Sequence, residues 1–226
     1  LEEPPLTLLL QAQASQLAGD ERAAEKFFNA MLEKSETEFL GVRGLLTQAL
    51  KGKDRKKALE LAERAFGLRP KSDWVAANLV DLQIKNGAWA EAKTTLDKSV
   101  KNRVVTAEET HHRRVALDYR LSLDASAAGD GAKAMKLLRA AHDREPGFVP
   151  AAVRLAETLT EGGRQGRAVT AIERAWSHTP HPDLAAAYWQ ARGANDALER
   201  VKAAQKLAKA NPGHRESLLT LAETAL

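Results

Sequence analysis

Residues 163–168 read GRQGRA, and the same arrangement of a glycine, four further residues and an alanine recurs as GDERAA at 19–24, GAWAEA at 87–92 and GDGAKA at 129–134. In each case we expect the alanine to open the core-facing side of a helix. Five alanines set the spacing: Ala24, Ala58, Ala92, Ala134 and Ala168. Successive members are 34 residues apart, except that Ala92 and Ala134 are 42 apart. Such a period indicates an array of similar helical units, each of which buries its apolar side against its neighbours.

The period of 34 is that of the tetratricopeptide repeat (TPR), which predicts an all-α TPR superhelix, or α-solenoid, of about six helix-turn-helix repeats plus a terminal helix. We predict a single array over residues 1–226. Its repeats are expected at about 5–35, 36–70, 71–104, 105–146, 147–180 and 181–212, with a partial repeat at 213–226. Repeat two departs from the pattern because Gly52 lies one residue early.

The second helix of each repeat is expected to place small residues where it crosses the first, because helices approach to about 8–10 Å only over small side chains. Further core positions follow at helical spacing: Phe28, Met31, Ala62, Ala65, Leu138, Ala141, Leu155, Ala156, Ile172 and Ala175. We interpret Trp74 and Trp89 as large fillers between helices rather than as residues that stack on a ligand.

The fourth repeat carries the eight extra residues, which fall between Ser99 and Leu121. Thr106 followed by Glu109 is the pattern of a capping box, so the first helix of this repeat is expected to begin there and to run to about Ala128. That helix would be about two turns longer than its neighbours. The extension contains two histidines and two arginines: His111, His112, Arg113 and Arg114.

Composition limits the possible functions. The net charge of +4 is too small to indicate a nucleic-acid partner, and the absence of cysteine excludes disulfides and thiolate metal ligands. There is no nucleophile elbow, HExxH motif, phosphate loop or paired-carboxylate site, so we predict no catalytic residues and no enzymatic activity. No run of 18 apolar residues, initiator Met or signal peptide is present. We therefore expect a soluble fragment of a longer protein.

The first helices of the repeats are expected to line a concave face, which in such arrays usually binds a peptide or another protein. The period places a mixture of charged, aromatic and small residues there: Arg43, Thr47, Ala77, Asp81, Lys85, Tyr119, Arg120, Leu123, Val153, Arg154 and Glu157. Tyrosine and arginine are common interface anchors, which favours side-chain-led recognition of a protein. The alternative is a solvated surface.

The histidines offer a second candidate. Either His111 or His112 could ligate a haem iron while Arg113 and Arg114 pair with propionates, although an ordinary solvated helix start explains the same residues. Adjacent helical positions point about 100° apart, so the two histidines are not expected to share one metal, and no metal site is predicted.

Other polar clusters are interpreted structurally. His178 and His181 are expected to serve in a turn or cap, and His142 to interact as an imidazolium with a helix C-terminus. Five basic residues cluster at the turn inside repeat two: Lys51, Lys53, Arg55, Lys56 and Lys57. They could face an anionic membrane surface, but a solvated turn is the favoured interpretation.

Four stretches resemble the HemY proteins of proteobacteria, which are haem-biosynthesis-associated TPR proteins: AQASQLAGD at 12–20, TEFLGVRGLL at 37–46, GAWAEA at 87–92 and AWSHTPHPDLAAAY at 175–188. The resemblance covers nearly the whole chain. It implies a repeat domain on the cytoplasmic side of the inner membrane, anchored by an N-terminal hairpin that is absent here. It also implies a role late in haem or porphyrin metabolism, with haem-pathway enzymes as partners. Cofactors are expected to be none, with haem the one candidate.

Overall fold

The computed structural model describes residues 4–225, and all thirteen regular elements in that range are α-helices. Their bounds are α1 (Pro5–Leu17), α2 (Glu21–Met31), α3 (Glu38–Lys51), α4 (Arg55–Leu68), α5 (Asp73–Lys85), α6 (Trp89–Lys101), α7 (His111–Ala127), α8 (Gly131–Arg144), α9 (Val149–Glu161), α10 (Gln165–His178), α11 (Pro182–Arg192), α12 (Ala197–Ala208) and α13 (Arg215–Ala225). Within the same range there is no strand. The prediction of an all-α helical-repeat fold is confirmed.

The helices form two compact units, residues 1–110 with α1–α6 and residues 111–226 with α7–α13. Within the first unit α1 packs on α2, α3 on α4 and α5 on α6. Within the second, α7 packs on α8, α9 on α10 and α12 on α13. The first five of these pairs are helix-turn-helix repeats, whereas α12 packs more closely on α13, from the predicted partial repeat, than on α11, its partner in the predicted sixth repeat. That all of them form one array stays a prediction.

The turn between the two helices of a repeat has a recurring chemistry. Asp20, Asp54 and Asp130 precede the second helix, and the carboxylate of each accepts a hydrogen bond from the backbone N–H three residues later, at 2.9, 3.1 and 2.9 Å. This is N-capping, which satisfies one of the free N–H groups at a helix start. Just before two of these caps, Gly19 and Gly129 have left-handed backbone with φ of 76° and 79°.

Repeat two keeps this turn without its glycine. Lys53 has φ of 57°, so a lysine adopts the left-handed conformation that Gly19 and Gly129 adopt in the corresponding turns. Left-handed backbone brings Cβ close to the following carbonyl oxygen and costs roughly 1–2 kcal/mol in a non-glycine residue. Because Gly52 lies one residue before the left-handed position, the turn keeps its geometry, and Lys53 carries the backbone strain.

The small residues at the helix crossings are buried as predicted. The five alanines that define the repeat spacing are at most 4% exposed: Ala24, Ala58, Ala92, Ala134 and Ala168. The other assigned core positions are buried as well: Phe28, Met31, Ala62, Ala65, Leu138, Ala141, Leu155, Ala156, Ile172 and Ala175. The predicted helical register is therefore confirmed for both units.

Glycine allows an especially close approach between α2 and α3. A Cβ atom on Gly41 would lie 2.6 Å from the carbonyl oxygen of Phe28 and 3.0 Å from Cβ of Met31. Gly44, one turn later, faces the Phe28 ring in the same way. At Gly41 the nearest neighbour is the Phe28 backbone carbonyl, which cannot rotate away from an added methyl group.

The start of the fourth repeat differs from the prediction. The capping box is present, since the Thr106 N–H donates to Glu109 Oε2 at 2.7 Å and the Glu109 N–H donates to Thr106 Oγ1 at 3.1 Å. The Thr106 N–H and the Thr106 hydroxyl, which donates to the same Oε2 at 3.0 Å, lower the pKa of the Glu109 carboxyl. However, residues 107–110 form a turn and α7 begins only at His111. The helix has 17 residues, so it is about one turn longer than the 13 to 14 residues of α9 and α8, and the predicted two-turn extension is wrong.

The core of the second unit contains large side chains that the repeat pattern did not single out. Trp176 is fully buried, and its Nε1 donates to Ser217 Oγ on α13 at 3.0 Å. The buried side of α13 therefore consists of Ser217 and Thr220, while Leu218 is 58% exposed. Leu219 is exposed as well, whereas Leu221 is half-buried.

Candidate functional site

The first unit presents an exposed face built from α3 and α5, the first helices of repeats two and three. We call this the α3–α5 face and define it by Arg43 and Thr47 on α3 and by Trp74, Ala77, Asp81 and Lys85 on α5. Arg43, Ala77, Asp81 and Lys85 are exposed, and Thr47 and Trp74 are half-buried. The hydroxyl of Thr47 donates to the Arg43 carbonyl at 2.9 Å, so it is engaged within its own helix.

A contact between Arg43 and Trp74 joins the two helices. The Arg43 guanidinium carbon lies 5.3 Å from the centroid of the Trp74 ring, within the range of a cation–π interaction. The Trp74 side chain also packs against the buried residues of α3, α4 and α5. The filler role is therefore confirmed for Trp74, and the exposed part of its ring carries a cation in addition.

A cleft of about 590 Å³ opens where α3 and α5 begin. It is lined by Phe39, Arg43, Arg69, Pro70, Lys71 and Ser72. Arg69 lies over the Phe39 ring at 4.3 Å, which gives the cleft a second cation–aromatic pair. Three cationic side chains and no carboxylate line it, so its chemistry suits an acidic or polar group on a partner. Neither Phe39 nor Arg69 falls at the groove offset within its repeat, so the period does not predict either residue as part of a site.

The other end of the same face is also basic. Lys85 lines a smaller cleft of about 270 Å³ together with Lys53 and Arg55 from the predicted basic turn. Part of that turn is paired with α2, since Lys57 Nζ lies 2.6 Å from Glu25 Oε1 and Lys51 Nζ lies 4.0 Å from Glu21 Oε1. These exposed pairs contribute little stability.

The groove candidates in the second unit are engaged with neighbours of their own. The Tyr119 ring is half-buried and meets the Phe148 ring edge to face, with centroids 5.6 Å apart. Arg120 pairs with Asp124 at 2.9 Å, and Arg154 pairs with Glu157 at 3.2 Å. Tyr119 is therefore first a packing residue, and the charges of this face are matched within single helices.

The four residues at the start of α7 divide into two pairs. His111 Nε2 lies 3.5 Å and His112 Nδ1 lies 2.9 Å from the same Glu145 Oε2, at the C-cap of α8. Two different ring nitrogens, on rings whose planes lie 85° apart, therefore reach one carboxylate oxygen despite the 100° spacing of adjacent helical positions. Arg113 is exposed and Arg114 is half-buried, and both have interaction partners.

The other histidines have mostly structural roles. His181 Nδ1 accepts from the Asp183 N–H at 3.2 Å and caps α11, which confirms the predicted cap, and His214 Nδ1 does the same for the Glu216 N–H at 3.1 Å. His142 departs from prediction. It is buried, neither ring nitrogen has a hydrogen-bond partner within the described residues, and burial lowers its pKa. It is thus a neutral core residue rather than an imidazolium at a helix end.

One further side chain has a strongly shifted pKa. Burial and a 2.6 Å hydrogen bond from the Tyr188 hydroxyl to Glu173 Oε1 raise the pKa of Tyr188 to about 12. The same carboxylate lies 3.2 Å from Lys206 Nζ. The arrangement keeps the phenol protonated and ties α10, α11 and α12 together.

Among known proteins, the tetratricopeptide repeat family model matches residues 49–108 and 125–194. A probable magnetosome protein, Mms48 of Magnetospirillum gryphiswaldense, is 29% identical over 147 residues, which are 63% of this chain and 32% of that protein. The match thus spans about a third of the length of this curated relative.

Two solved structures illustrate the similarity of this chain to known folds. YrrB, described as a TPR protein with an unusual peptide-binding site, is 15% identical with a TM-score of 0.44 and covers 88% of this chain and 98% of its own. PilF of Pseudomonas aeruginosa is 14% identical with a TM-score of 0.44 and covers 97% of both chains. None of the helices in residues 4–225 has both the length and the apolar character needed to cross a bilayer.

Proposed function

The chain belongs to the tetratricopeptide repeat family, and we propose that it is the repeat domain of a HemY-type protein of the bacterial inner membrane. In this proposal the domain lies on the cytoplasmic side and binds enzymes of late haem or porphyrin biosynthesis without catalysing a reaction itself. The α3–α5 face is the surface that holds these partners. The observation that carries the proposal is the contact between the exposed Arg43 and the half-buried Trp74 at the cationic cleft.

The chemistry of this face supports a protein partner. Binding energy at protein interfaces concentrates in aromatic and arginine side chains that are partly shielded from water. Arg43 on Trp74 and Arg69 on Phe39 provide two such pairs at one end of α3. Because these rings are already packed on the core, they are held in place before a partner arrives, and that lowers the entropic cost of binding.

The haem-related part of the proposal is supported by the resemblance to HemY proteins. One of the four resembling stretches, residues 37–46, forms the start of α3 and contributes Phe39 and Arg43 to the cleft. Another, residues 175–188, contains Trp176, His181 and Tyr188, which hold α10, α11 and α13 in place. The resembling residues thus include surface positions as well as core positions.

Affinity capture tests this function. The repeat domain is immobilised and exposed to a proteobacterial membrane extract, and the bound proteins are identified by mass spectrometry. We expect wild-type protein to capture haem-pathway enzymes, Arg43→Glu to lose them, and Lys56→Glu to retain them. Lys56 is a matched control because it is an exposed cation on α4 outside the cleft. Capture of the same enzymes by all three proteins, or of none by the wild type, would overturn the proposal.

Haem or porphyrin binding at the start of α7 is a second candidate. It is favoured by the accessibility of His112, whose side chain is 84% exposed beside Arg113. A titration with haem and with protoporphyrin, followed in the Soret region, tests it. Saturable one-to-one binding that is lost in His111→Ala/His112→Ala supports the candidate, and a spectrum without a saturable shift rejects it.

A further inference from the structure

The structure brings three metal-ligating side chains together at one end of the α7–α8 hairpin. His111 Nε2 and His112 Nδ1 lie 3.5 and 2.9 Å from Glu145 Oε2, and one ligand atom from each residue lies within 4.8 Å of the other two. We propose that these residues bind a divalent first-row transition metal ion, with Zn²⁺ as the representative. The site is separate from the α3–α5 face and does not depend on the proposed scaffold function.

The distances suit such an ion. Zinc binds imidazole nitrogen and carboxylate oxygen at about 2.0–2.2 Å in tetrahedral geometry, which places neighbouring ligand atoms roughly 3.3 Å apart. The two nitrogen–oxygen separations, 2.9 and 3.5 Å, lie on either side of that value. Any remaining adjustment falls on the ring of His112, whose side chain is 84% exposed.

The three ligand residues lie at the ends of two helices that pack against each other. His111 and His112 are the first two residues of α7, and Glu145 is the C-cap residue of α8. The Glu145 N–H donates to the Ala141 carbonyl at 3.0 Å, which continues the hydrogen bonding of α8 up to this ligand. α7 and α8 pack directly against each other, so the two histidines and the carboxylate are held by the core of one repeat.

Local charge is compatible with a cation. Arg144, the residue before Glu145, has its Nη1 3.7 Å from the buried Asp118 Oδ2, so its charge is directed toward a carboxylate in the hairpin core. Arg113 and Arg114 are likewise engaged with partners. With neutral imidazoles the three ligands carry one negative charge, and that charge attracts a divalent ion.

The ligand set selects the class of metal. Two imidazoles and one carboxylate suit zinc, copper, nickel or ferrous iron, whereas calcium and magnesium prefer oxygen donors alone. Three protein ligands leave at least one coordination position for water. The proposed ligand is therefore a divalent transition metal ion that accepts both nitrogen and oxygen donors. It would bind at the surface of the second unit with at least one coordination position open to water.

Isothermal titration of the untagged chain with ZnCl₂ tests the proposal. We expect one equivalent to bind saturably, and we expect Glu145→Gln and His112→Ala each to weaken binding at least tenfold. His178→Ala is the matched control, because His178 is an exposed histidine of the same unit outside the cluster. It should bind zinc as the wild type does, and MgCl₂ should give no saturable heat. Circular dichroism of each variant establishes that its helices are intact.

Three results would overturn the metal site. These are no saturable zinc binding by the wild type, undiminished binding in both Glu145→Gln and His112→Ala, or an equal loss in His178→Ala. None of these outcomes bears on partner capture through Arg43, which lies in the other unit.

Discussion

Replacement of Gly41 by alanine tests the contact between α2 and α3. An added Cβ would lie 2.6 Å from the Phe28 carbonyl oxygen and 3.0 Å from both Met31 Cβ and Leu32 Cδ2. The leucine methyl can rotate away, but the carbonyl oxygen and the methionine Cβ move only with the backbone of α2. The methyl group must therefore push the two helices apart.

Two opposing effects set the size of this change. An alanine in place of a helical glycine contributes up to about 1 kcal/mol, because the unfolded chain loses conformational freedom. Overpacking of a close contact costs about 1–3 kcal/mol. Gly166 in α10 isolates the first effect, since a Cβ there would meet nothing within 4 Å. We predict that Gly41→Ala is less stable than Gly166→Ala by about 1–3 kcal/mol, with Gly166→Ala itself more stable than wild type.

Urea denaturation followed by circular dichroism at 222 nm measures both variants. With an m-value of about 2 kcal/mol per molar urea, the predicted difference corresponds to roughly 0.5–1.5 M in the midpoint. Equal midpoints for the two variants would refute the reasoning, because they would mean that the Phe28 carbonyl does not lie against α3 at Gly41.

Three further changes test other parts of the structure. Lys53→Gly should raise the free energy of unfolding by about 0.5–1 kcal/mol, because glycine adopts the left-handed backbone conformation without strain. Lys56→Gly, inside α4, should lower the free energy of unfolding by about 1 kcal/mol. Urea midpoints of the two variants measure both changes. Ala168→Leu should overpack a fully buried crossing and cost about 1–3 kcal/mol without a changed helical spectrum, and an unchanged melting temperature would contradict the register. Burial lowers the pKa of His142 below 6.5, so the unfolded chain takes up this proton first and stability should fall as pH drops below about 6.5. The urea midpoint should therefore fall less in His142→Leu than in wild type between about pH 7 and 5, and parallel slopes would contradict a neutral His142.

The repeat fold and its core could be predicted from the sequence because the signal is local and recurs. Ala24 and Ala58 are one period of 34 residues apart, and Ala168 follows Ala58 by three periods plus the eight-residue insertion, so each supports the assignment of the others. Burial of these alanines follows from helical spacing alone. The caps Asp20 and Thr106 are local as well, since their partners lie three residues away.

The candidate sites depend on contacts that no local pattern encodes. Glu145 is 33 residues from His112. The predicted hairpin brings the start of α7 and the end of α8 together, but the repeat pattern does not specify which side chains meet there. The same holds for Arg43 and Trp74, which come from different repeats. Periodicity predicted which face Arg43 occupies, but its partner depends on how α3 and α5 pack.

Prediction was also weak where a side chain has two possible environments. His142 follows the rule for cations near a helix C-terminus, yet it lies on the buried side of α8, where desolvation outweighs the dipole. Tyr119 is of a residue type that often anchors protein interfaces, but the Phe148 ring lies close enough to pack against it. In both cases the decisive neighbour belongs to another helix.

The binding role of the α3–α5 face is tested most directly by site-specific photo-crosslinking. The chain has no cysteine, so Ala77→Cys on this face and Glu63→Cys on α4 each provide a single exposed attachment point for a benzophenone maleimide. Both labelled proteins are irradiated in a proteobacterial membrane extract, and the adducts are identified by mass spectrometry. We predict an adduct between the Ala77→Cys protein and a late haem-pathway enzyme, and none at position 63. Equal adducts at both positions, or no haem-pathway enzyme at position 77, would contradict the account.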